Sequence, residues 1–229
     1  MSFPTAFAVT PRCQLSYDNL YMGKFIVYVE KPMRQFAIVP AAGNSSRMGT
    51  DKLILPWRGK ALISHLIETW QMSDVDAVVA TIRPGDVELR KTLETHEIEI
   101  VQPSSAPVDM KASVQLGLQH LATHWQPTDD DIWMLAPADM PRLHPQIIRD
   151  VVAGYTANHP RIVVPTYKGR RGHPVLFPWR AAVRVFELGA HEGVNTLTRD
   201  ASVQEVQLPD RSCLQDVDFP EDYCDLMQD

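Results

Sequence analysis

A loop of small and polar residues, 41–52, directly follows the apolar run 36–39. Residues this small let backbone N–H groups approach a polyphosphate closely, and the serine, asparagine and glycine residues that follow can wrap around it. Arg47 and Lys52 add two cations whose spacing lets them reach different phosphates. The loop matches neither the P-loop nor the dinucleotide-binding glycine pattern, so it indicates a triphosphate site of another kind. The alternative is an ordinary strand-to-helix turn whose glycines serve geometry alone.

Two acidic segments are further candidates for ligand binding. Asp139 follows the apolar run 131–136, with a proline two residues away on either side, so it lies at the carboxyl end of a strand, where open α/β sheets bind ligands. It comes too early to cap the next helix, because His144 occupies the capping position. Asp216 and Asp218, two residues apart on an extended segment, point to the same side. An acidic, solvated turn is the alternative for this pair.

Apolar runs and segments with helical spacing alternate along the chain and must position these residues. The predicted strands are 36–39, 75–82, 98–101, 131–136, 162–165 and 203–208, and the predicted helices are 61–72, 86–96, 112–125, 145–155, 179–188 and 192–199. This alternation indicates βαβ units, and therefore a three-layer, Rossmann-like α/β fold with a mainly parallel sheet. The rhythm breaks at the turn-rich segment 167–172. The apolar run 175–177 after it predicts an excursion or an antiparallel strand at the edge of the sheet.

The composition excludes several classes of protein. The 229 residues suffice for one domain with a substantial core, and the 45% hydrophobic and 22% charged fractions are those of a globular chain. A formal net charge of −6 argues against broad binding to nucleic acid or to an anionic membrane. Three scattered cysteines indicate reduced thiols rather than a disulfide scaffold. No apolar run approaches the length of a membrane span and the start is a poor signal peptide, so we expect a cytoplasmic protein.

Five motifs follow one another along the chain, and the first is the most specific. It reads Ala-Ala-Gly-x-Ser-Ser-Arg-Met-Gly-x-x-Lys over 41–52. The others are Met-x-x-Ser-x-x-x-Gly at 110–117, Asp-Met-Pro at 139–141, Gly-Arg-Arg-Gly-His-Pro-Val-Leu-Phe at 169–177 and Asp-x-Asp-x-Pro-Glu-Asp at 216–222. In this order they resemble the MobA-like nucleotidyltransferases, a family that includes the molybdenum cofactor cytidylyl- and guanylyltransferases. The resemblance extends from residue 36 to about residue 223.

The resemblance implies a nucleotidyltransferase that moves a nucleoside monophosphate from a triphosphate to a phosphorylated acceptor and releases pyrophosphate. The expected acceptor is molybdopterin or the molybdenum cofactor, with a molybdoenzyme as a further partner. A sugar or polyol phosphate is an alternative acceptor. A non-catalytic accessory that binds a nucleotide or cofactor is an alternative from another class, but such a carrier has no need of both Lys52 and Asp139.

The same resemblance assigns roles to individual residues. Arg47, Lys52 and Asp139 are the expected catalytic residues, since cations stabilise the charge of the triphosphate. Asp139 and Asp218 are expected to hold Mg²⁺, which one or two carboxylates usually bind together with phosphates. The expected nucleotide-binding residues are Ala41, Ala42, Gly43, Asn44, Ser45, Lys52 and Ser113. His173 and Arg171 are expected to bind the acceptor. The alternative for His173 is a hydrogen bond to the backbone of a tight turn. The alternative for Arg171 is an ordinary exposed side chain on the surface.

The expected nucleotide is CTP rather than GTP. The loop resembles the cytidylyl branch, whereas the guanylyl branch usually has two glycines at positions 42 and 43, and the Cβ of Ala42 would narrow the pocket for a smaller base. Asp109 and Lys111 depart from the family pattern, which has glycine and usually a small residue there. Phe219 likewise replaces a usual threonine.

Residues 1–33 lie outside the matched motifs and carry no candidate chemistry. The expected organisation is an N-terminal extension over 1–33 and a nucleotidyltransferase domain over 34–229. Met33 would make a natural start codon, so a mis-assigned translation start is an alternative to a genuine extension.

Overall fold

Strands and helices alternate through the part of the chain that the computed structural model describes, residues 32–43, 51–199 and 203–228. The strands are β1 (Gln35–Pro40), β2 (Pro56–Trp57), β3 (Lys60–Ala61), β4 (Ala77–Thr81), β5 (Glu99–Val101), β6 (Ile132–Leu135), β7 (Val163–Tyr167), β8 (Arg170–Arg171), β9 (Val175–Pro178) and β10 (Gln204–Gln207). The α-helices are α1 (Leu62–Gln71), α2 (Val87–Leu93), α3 (Met110–His124), α4 (Pro145–Ala153), α5 (Ala182–Glu187) and α6 (Pro220–Met227). The prediction for an extension over 1–33 falls almost entirely outside the described residues.

Strand β1 forms the middle of the main sheet, whose strand order is β10-β7-β9-β6-β1-β4-β5 with β8 beside β7. It pairs in parallel with β4 on one side and with β6 on the other. Every residue of β1 after Gln35 is buried. A short apolar run that is buried on both faces is typical of an interior strand in a parallel sheet.

Alternate side chains of β1 face opposite layers of helices. Ala37 and Val39 pack in one cluster with apolar residues of α1, α2 and α4. Phe36 and Ile38 pack in the other with residues of α3 and α5. Helices on both faces of a mainly parallel sheet confirm the predicted three-layer α/β fold. None of the helices among the described residues has the length and apolar character that crossing a membrane requires.

The prediction for residues 175–177 was right about the direction of the strand and wrong about its position in the sheet. Strand β9 is antiparallel, as expected, but it lies inside the sheet between β6 and β7 rather than at the edge. Its side chains explain the position, because Leu176 packs into the helix layer of α1 and α4 while Val175 and Phe177 pack into the opposite layer. A strand that is apolar on both faces gains more burial inside the sheet than at its edge.

Two predicted helices in the C-terminal third are shorter than the pattern suggests. Segment 179–188 divides into a 3₁₀ turn (Trp179–Ala181) followed by α5, and segment 192–199 contains only the 3₁₀ turn Val194–Thr198. A third difference concerns helix α3, whose first residue is set by a capping side chain. Asp109 accepts a hydrogen bond from the Ala112 N–H at 2.7 Å, so α3 begins at Met110, two residues before the predicted start.

A buried ion pair fastens the beginning of β1 to the turn before β6. Asp131 accepts hydrogen bonds from the backbone N–H and the guanidinium of Arg34, at 2.9 and 2.7 Å, and from the Thr128 N–H at 2.6 Å. The side chain of Asp131 is only 2% exposed. Burial alone would raise the pKa of Asp131, but the hydrogen bonds from Arg34 and Thr128 outweigh it and hold the pKa below its ordinary value.

Replacing Asp131 with asparagine is expected to lower the free energy of unfolding by about 3 kcal/mol, because the Arg34 charge loses its buried partner. A carboxyl group with a lowered pKa in the folded state stabilises the protein above its ordinary pKa, and that contribution is lost as the pH falls through the folded pKa. Urea unfolding should therefore show wild-type stability declining below about pH 5, and a flatter decline in Asp131→Asn. Equal stability of the two proteins at pH 7 would contradict the assignment.

Candidate functional site

Lys52 stands at the start of a short 3₁₀ turn, Lys52–Ile54, that follows the small-residue loop. Asp51 caps this turn by accepting a hydrogen bond from the Leu53 N–H at 3.3 Å. Leu53 is buried in the core, which fixes the turn against the sheet. The turn thereby holds the Lys52 side chain at the carboxyl end of the central strands.

The ammonium of Lys52 lies between two carboxylates that are far away in sequence. Its Nζ is 2.6 Å from Asp139 Oδ2 and 2.8 Å from Asp218 Oδ1. The side chains of Lys52 and Asp139 are only 12% and 16% exposed, whereas Asp218 is 36% exposed. Burial on its own lowers the pKa of Lys52, but the two carboxylates outweigh it and raise the pKa above its ordinary value. Lys52 is therefore a cation at neutral pH.

Backbone and capping contacts hold the two acids in place. The Asp139 carbonyl, in the turn after β6, accepts a hydrogen bond from the Val217 N–H at 2.9 Å, which fastens the C-terminal segment to that turn. The Asp222 carboxylate accepts hydrogen bonds from the N–H groups of Asp218 and Phe219, at 2.9 and 2.7 Å. The carboxylate of Asp222 in the first turn of α6 therefore orders the backbone that carries Asp218.

The hairpin β2–β3 packs against α6 and adds a second support. The indole Nε1 of Trp57 donates to the Leu226 carbonyl at 3.1 Å, and the Tyr223 hydroxyl donates to the Pro56 carbonyl at 2.6 Å. Trp57 also packs in a small apolar cluster with Val217 and Leu226. These contacts therefore hold together the two segments that carry Lys52 and Asp218, a few residues beyond each of these side chains.

One oxygen of Asp139 has no partner among the residues that the structure describes. Its Oδ1 is buried and has no hydrogen-bond partner among the described residues, although an unpaired buried acceptor carries a desolvation cost. Hard cations such as Mg²⁺ take oxygen ligands of this kind. No group of three or more potential side-chain ligands occurs in the described part of the chain. A divalent ion here would thus depend on Asp139 and Asp218 together with phosphate and water oxygens, and the donor set fits that role.

Asp216 does not join this cluster. It lines a separate surface depression with Arg142 and Asp222. Burial raises the pKa of Asp216, and the neighbouring carboxylates, Asp139 first among them, raise it further. Of the two acids predicted to share one side of the segment, only Asp218 contacts Lys52.

A cavity of about 400 Å³ opens beside the three charged groups. Most of the predicted nucleotide-binding residues line it, together with both acids: Ala41, Ala42, Gly43, Lys52, Ser113, Asp139 and Asp218. The Ser113 hydroxyl donates to the Asp109 carbonyl at 3.3 Å, within the first turn of α3. The predicted residues Asn44, Ser45 and Arg47 lie outside the described residues.

Part of the wall of this cavity was not predicted from the sequence. Pro107 and Val108 also line it, and Val108 is 93% exposed. The available signal was a proline and an apolar residue in a segment that no periodic element includes. An exposed apolar side chain in the cavity wall offers a surface on which a flat ring can pack.

A second cavity of about 500 Å³ adjoins the first and shares Asp109 and Met110 with it. It is lined by both residues that were predicted to bind an acceptor, His173 and Arg171. The Arg171 guanidinium is engaged elsewhere, since it contacts Glu205 at 2.7 Å and the Thr198 carbonyl at 2.6 Å. The structure therefore places Arg171 at the cavity with its charge already paired.

His173 makes the backbone contacts that were the alternative interpretation of this residue. Its Nδ1 lies 3.2 Å from the Leu135 carbonyl, and its N–H donates to the Cys213 carbonyl at 2.8 Å. Burial lowers the pKa of His173, although the Leu135 contact and the Asp139 charge oppose this, so the imidazole is neutral at pH 7. The preceding residue must be glycine, because a Cβ on Gly172 would lie 2.2 Å from the Cys213 carbonyl oxygen.

Comparison with known proteins identifies the family and several relatives. The family model described as the MobA-like NTP transferase domain matches residues 37–206. The 2-C-methyl-D-erythritol 4-phosphate cytidylyltransferase of Aromatoleum aromaticum is 35% identical over 141 residues, which are 54% of this chain and 58% of the relative. The molybdenum cofactor cytidylyltransferase of Escherichia coli is 23% identical over 81% of this chain and 92% of its own length. A probable molybdenum cofactor guanylyltransferase of Bacillus cytotoxicus is 24% identical over 64% of this chain and 69% of its own length.

Solved structures share the fold at low sequence identity. Rv0371c from Mycobacterium tuberculosis superposes with a TM-score of 0.72 and 22% identity, covering 87% of this chain and 100% of that chain. The same protein has also been solved in complex with manganese, and that structure superposes with a TM-score of 0.70 and 21% identity, covering 86% and 99%. At this level of identity the comparison supports the three-layer α/β architecture alone.

Proposed function

The chain belongs to the MobA-like NTP transferase family, and from this premise we propose that it transfers CMP from CTP to a phosphorylated acceptor, molybdopterin or the molybdenum cofactor, and releases pyrophosphate. The observation that supports this most strongly is the contact of Lys52 with both Asp139 and Asp218 at the mouth of the first cavity. A cation and two acids beside a wall of small residues suit a triphosphate and a divalent ion. A protein that only carried a nucleotide would have no need of this pairing.

The proposed reaction requires no nucleophilic side chain. An oxygen of the acceptor phosphate attacks the α-phosphorus of the nucleotide, and the bond from that phosphorus to the pyrophosphate oxygen breaks. In this reaction Lys52 would stabilise the negative charge that develops, and the family pattern assigns a similar task to Arg47. Asp139 and Asp218 would hold Mg²⁺, which would neutralise phosphate charge and orient the triphosphate. The acceptor would occupy the second cavity, which shares the lining residues Asp109 and Met110 with the first.

A polyol phosphate is the second candidate acceptor, and one observation favours it. The relative with 35% identity is named for 2-C-methyl-D-erythritol 4-phosphate. The relative that aligns with more of both chains is named for the molybdenum cofactor, and we therefore keep the cofactor as the first candidate. Both candidates present a phosphate monoester, so the same chemistry serves either.

The test is pyrophosphate release by the purified full chain with CTP and Mg²⁺, measured separately with molybdopterin, with 2-C-methyl-D-erythritol 4-phosphate and with no acceptor. We expect pyrophosphate release that depends on molybdopterin. Release with the polyol phosphate alone would replace the acceptor and keep the reaction. If neither acceptor raises release above the background rate, the proposed transfer is wrong.

CTP is expected to bind more tightly than GTP, by about tenfold to a hundredfold, since one unmatched hydrogen bond in a buried site costs ~1–3 kcal/mol. Ala42 lines the first cavity, and its Cβ leaves less room there than a glycine would. Calorimetric titration of the four nucleoside triphosphates with Mg²⁺ present provides the measurement. GTP binding as tight as CTP would refute the cytidylyl preference and leave the transfer reaction intact.

We also propose that residues 1–32 are dispensable for this activity. Met33 packs against the core, and Arg34 is fixed by Asp131, so the domain has its own anchors from this point on. A chain that begins at Met33 is expected to fold, with a melting temperature within a few degrees of the full chain and an unchanged turnover number. A shorter chain that aggregates or loses activity would show that the first 32 residues stabilise the domain.

A further inference from the structure

Lys111 is a buried cation that the transfer reaction described above does not use. It lies in the first turn of α3 and is only 9% exposed. Its ammonium donates to the Gly189 carbonyl at 2.5 Å, and it has no ion-pair partner in the part of the chain that the structure describes. Burying an ammonium against a neutral carbonyl alone is costly, because a carbonyl replaces only part of its hydration. A residue kept at this cost invites a functional explanation.

The Lys111 side chain belongs to the second cavity, and it stands beside the border with the first. The two residues before it, Asp109 and Met110, line both cavities, whereas Lys111 lines only the second. The other charged side chains that line this cavity are Asp109, Arg171 and Glu192, and each already has a hydrogen-bond partner. Arg171 is paired with Glu205, and the Glu192 carboxylate accepts the Gly189 N–H at 2.7 Å. Among the described residues, Lys111 is thus a buried cation in the wall of the second cavity that has no carboxylate partner.

We propose that Lys111 binds the phosphate group of the acceptor and makes the second cavity specific for phosphate monoesters. The inference rests on the proposed function, because that reaction brings an acceptor phosphate to the border between the cavities. A lysine beside this border can move from the neutral Gly189 carbonyl to a dianion, with which it forms stronger, charge-assisted hydrogen bonds. It is a specificity-determining residue for the acceptor, separate from Lys52, which serves the triphosphate.

The first test uses inorganic phosphate as the probe, so it does not depend on the identity of the acceptor. The first cavity of the full chain is filled with a non-hydrolysable CTP analogue and Mg²⁺, and the imidazole NMR signals of His173 and His191, both in the second cavity, are followed as phosphate is added. The signals should shift in the wild type, and Lys111→Met should weaken phosphate binding about tenfold to a hundredfold. Lys111→Arg, which keeps the charge, should restore most of it.

Lys168→Met is the matched control, since Lys168 is an exposed lysine on the turn between β7 and β8 and does not line the cavity. Its phosphate affinity should equal that of the wild type. Imidazole signals that phosphate does not move in the wild type would overturn the proposal. So would equal phosphate affinity in Lys111→Met, or an equal loss in the Lys168 control. The wild-type titration decides the matter even if Lys111→Met fails to fold.

The second test is kinetic and separates this proposal from the proposed function. With molybdopterin as acceptor, Lys111→Met should raise the KM for the acceptor at least about tenfold, leave the KM for CTP unchanged and change the turnover number little. A lowered turnover number with an unchanged acceptor KM would overturn the role of Lys111 while the transfer reaction stands. Pyrophosphate release that is absent in the wild type, with phosphate binding that still depends on Lys111, would refute the proposed function and keep the phosphate site.

Discussion

Replacing Asp139 with asparagine is expected to lower the rate of pyrophosphate release by about a thousandfold, the upper end of the losses seen when one electrostatic group of an active site is removed. Asparagine keeps the shape of the side chain but removes the charge that pairs with Lys52 and that would bind a divalent ion. The melting temperature should change little, because Lys52 keeps Asp218 as an ion-pair partner and because the contact of residue 139 with Val217 uses the backbone carbonyl.

The matched control is Asp150→Asn, which makes the same change at an acid on α4 whose carboxylate contacts Gln146 on the surface. It should release pyrophosphate at the wild-type rate. Rates are measured over a range of Mg²⁺ concentrations with saturating CTP. An Asp139→Asn protein that works at the wild-type rate when Mg²⁺ is limiting would show that the carboxylate is not a metal ligand.

Replacing Lys52 with alanine is expected to reduce the turnover number by on the order of 10²–10³, equivalent to ~3–4 kcal/mol, and to raise the KM for CTP much less. The reason is that, in the proposed reaction, a buried cation stabilises the α-phosphorus most when negative charge develops there in the transition state. Lys60→Ala is a suitable control, because Lys60 is exposed and pairs with Glu68 on α1. An unchanged turnover number with a raised KM would show that Lys52 only anchors the bound nucleotide.

The Lys52→Ala substitution, which lowers activity, should strengthen metal binding when no nucleotide is present. Lys52 contacts both Asp139 and Asp218, so its positive charge opposes the binding of a divalent ion to the same two carboxylates. Mn²⁺ should bind the nucleotide-free Lys52→Ala protein more tightly than the wild type, as followed by electron paramagnetic resonance. Equal or weaker Mn²⁺ binding in the variant would contradict a metal site at these two carboxylates.

The layers of the fold were predictable because its periodic elements are strongly patterned. β1 and β6 are short apolar runs that are buried on both faces, and α1 and α4 carry one apolar face each, so the hydrophobic pattern alone indicated alternating strands and helices. The position of β9 was not predictable in this way. Its apolar residues suit an interior strand, but only the pairing with β6 and β7 decides where the chain returns into the sheet.

The site was predictable where a local motif carries the chemistry and unpredictable where distant segments meet. Lys52 belongs to the specific loop motif, and Asp139 follows a recognisable strand. Nothing local shows that Lys52 lies against Asp218, 166 residues further along the chain. The direction of Lys111 was equally hidden, because the first turn of a helix can face either cavity until the loop that carries Gly189 is in place.

In the proposed reaction, CMP moves from CTP to an acceptor phosphate at the cluster of Lys52, Asp139 and Asp218. The most direct measurement is the fate of the α-phosphate, followed with α-³²P-labelled CTP, Mg²⁺ and molybdopterin and resolved by chromatography. We expect the label to move into a product joined to the acceptor, together with release of an equal amount of pyrophosphate, and we expect Asp139→Asn to form none. Label that stays in CTP, or appears only as free CMP, would contradict it.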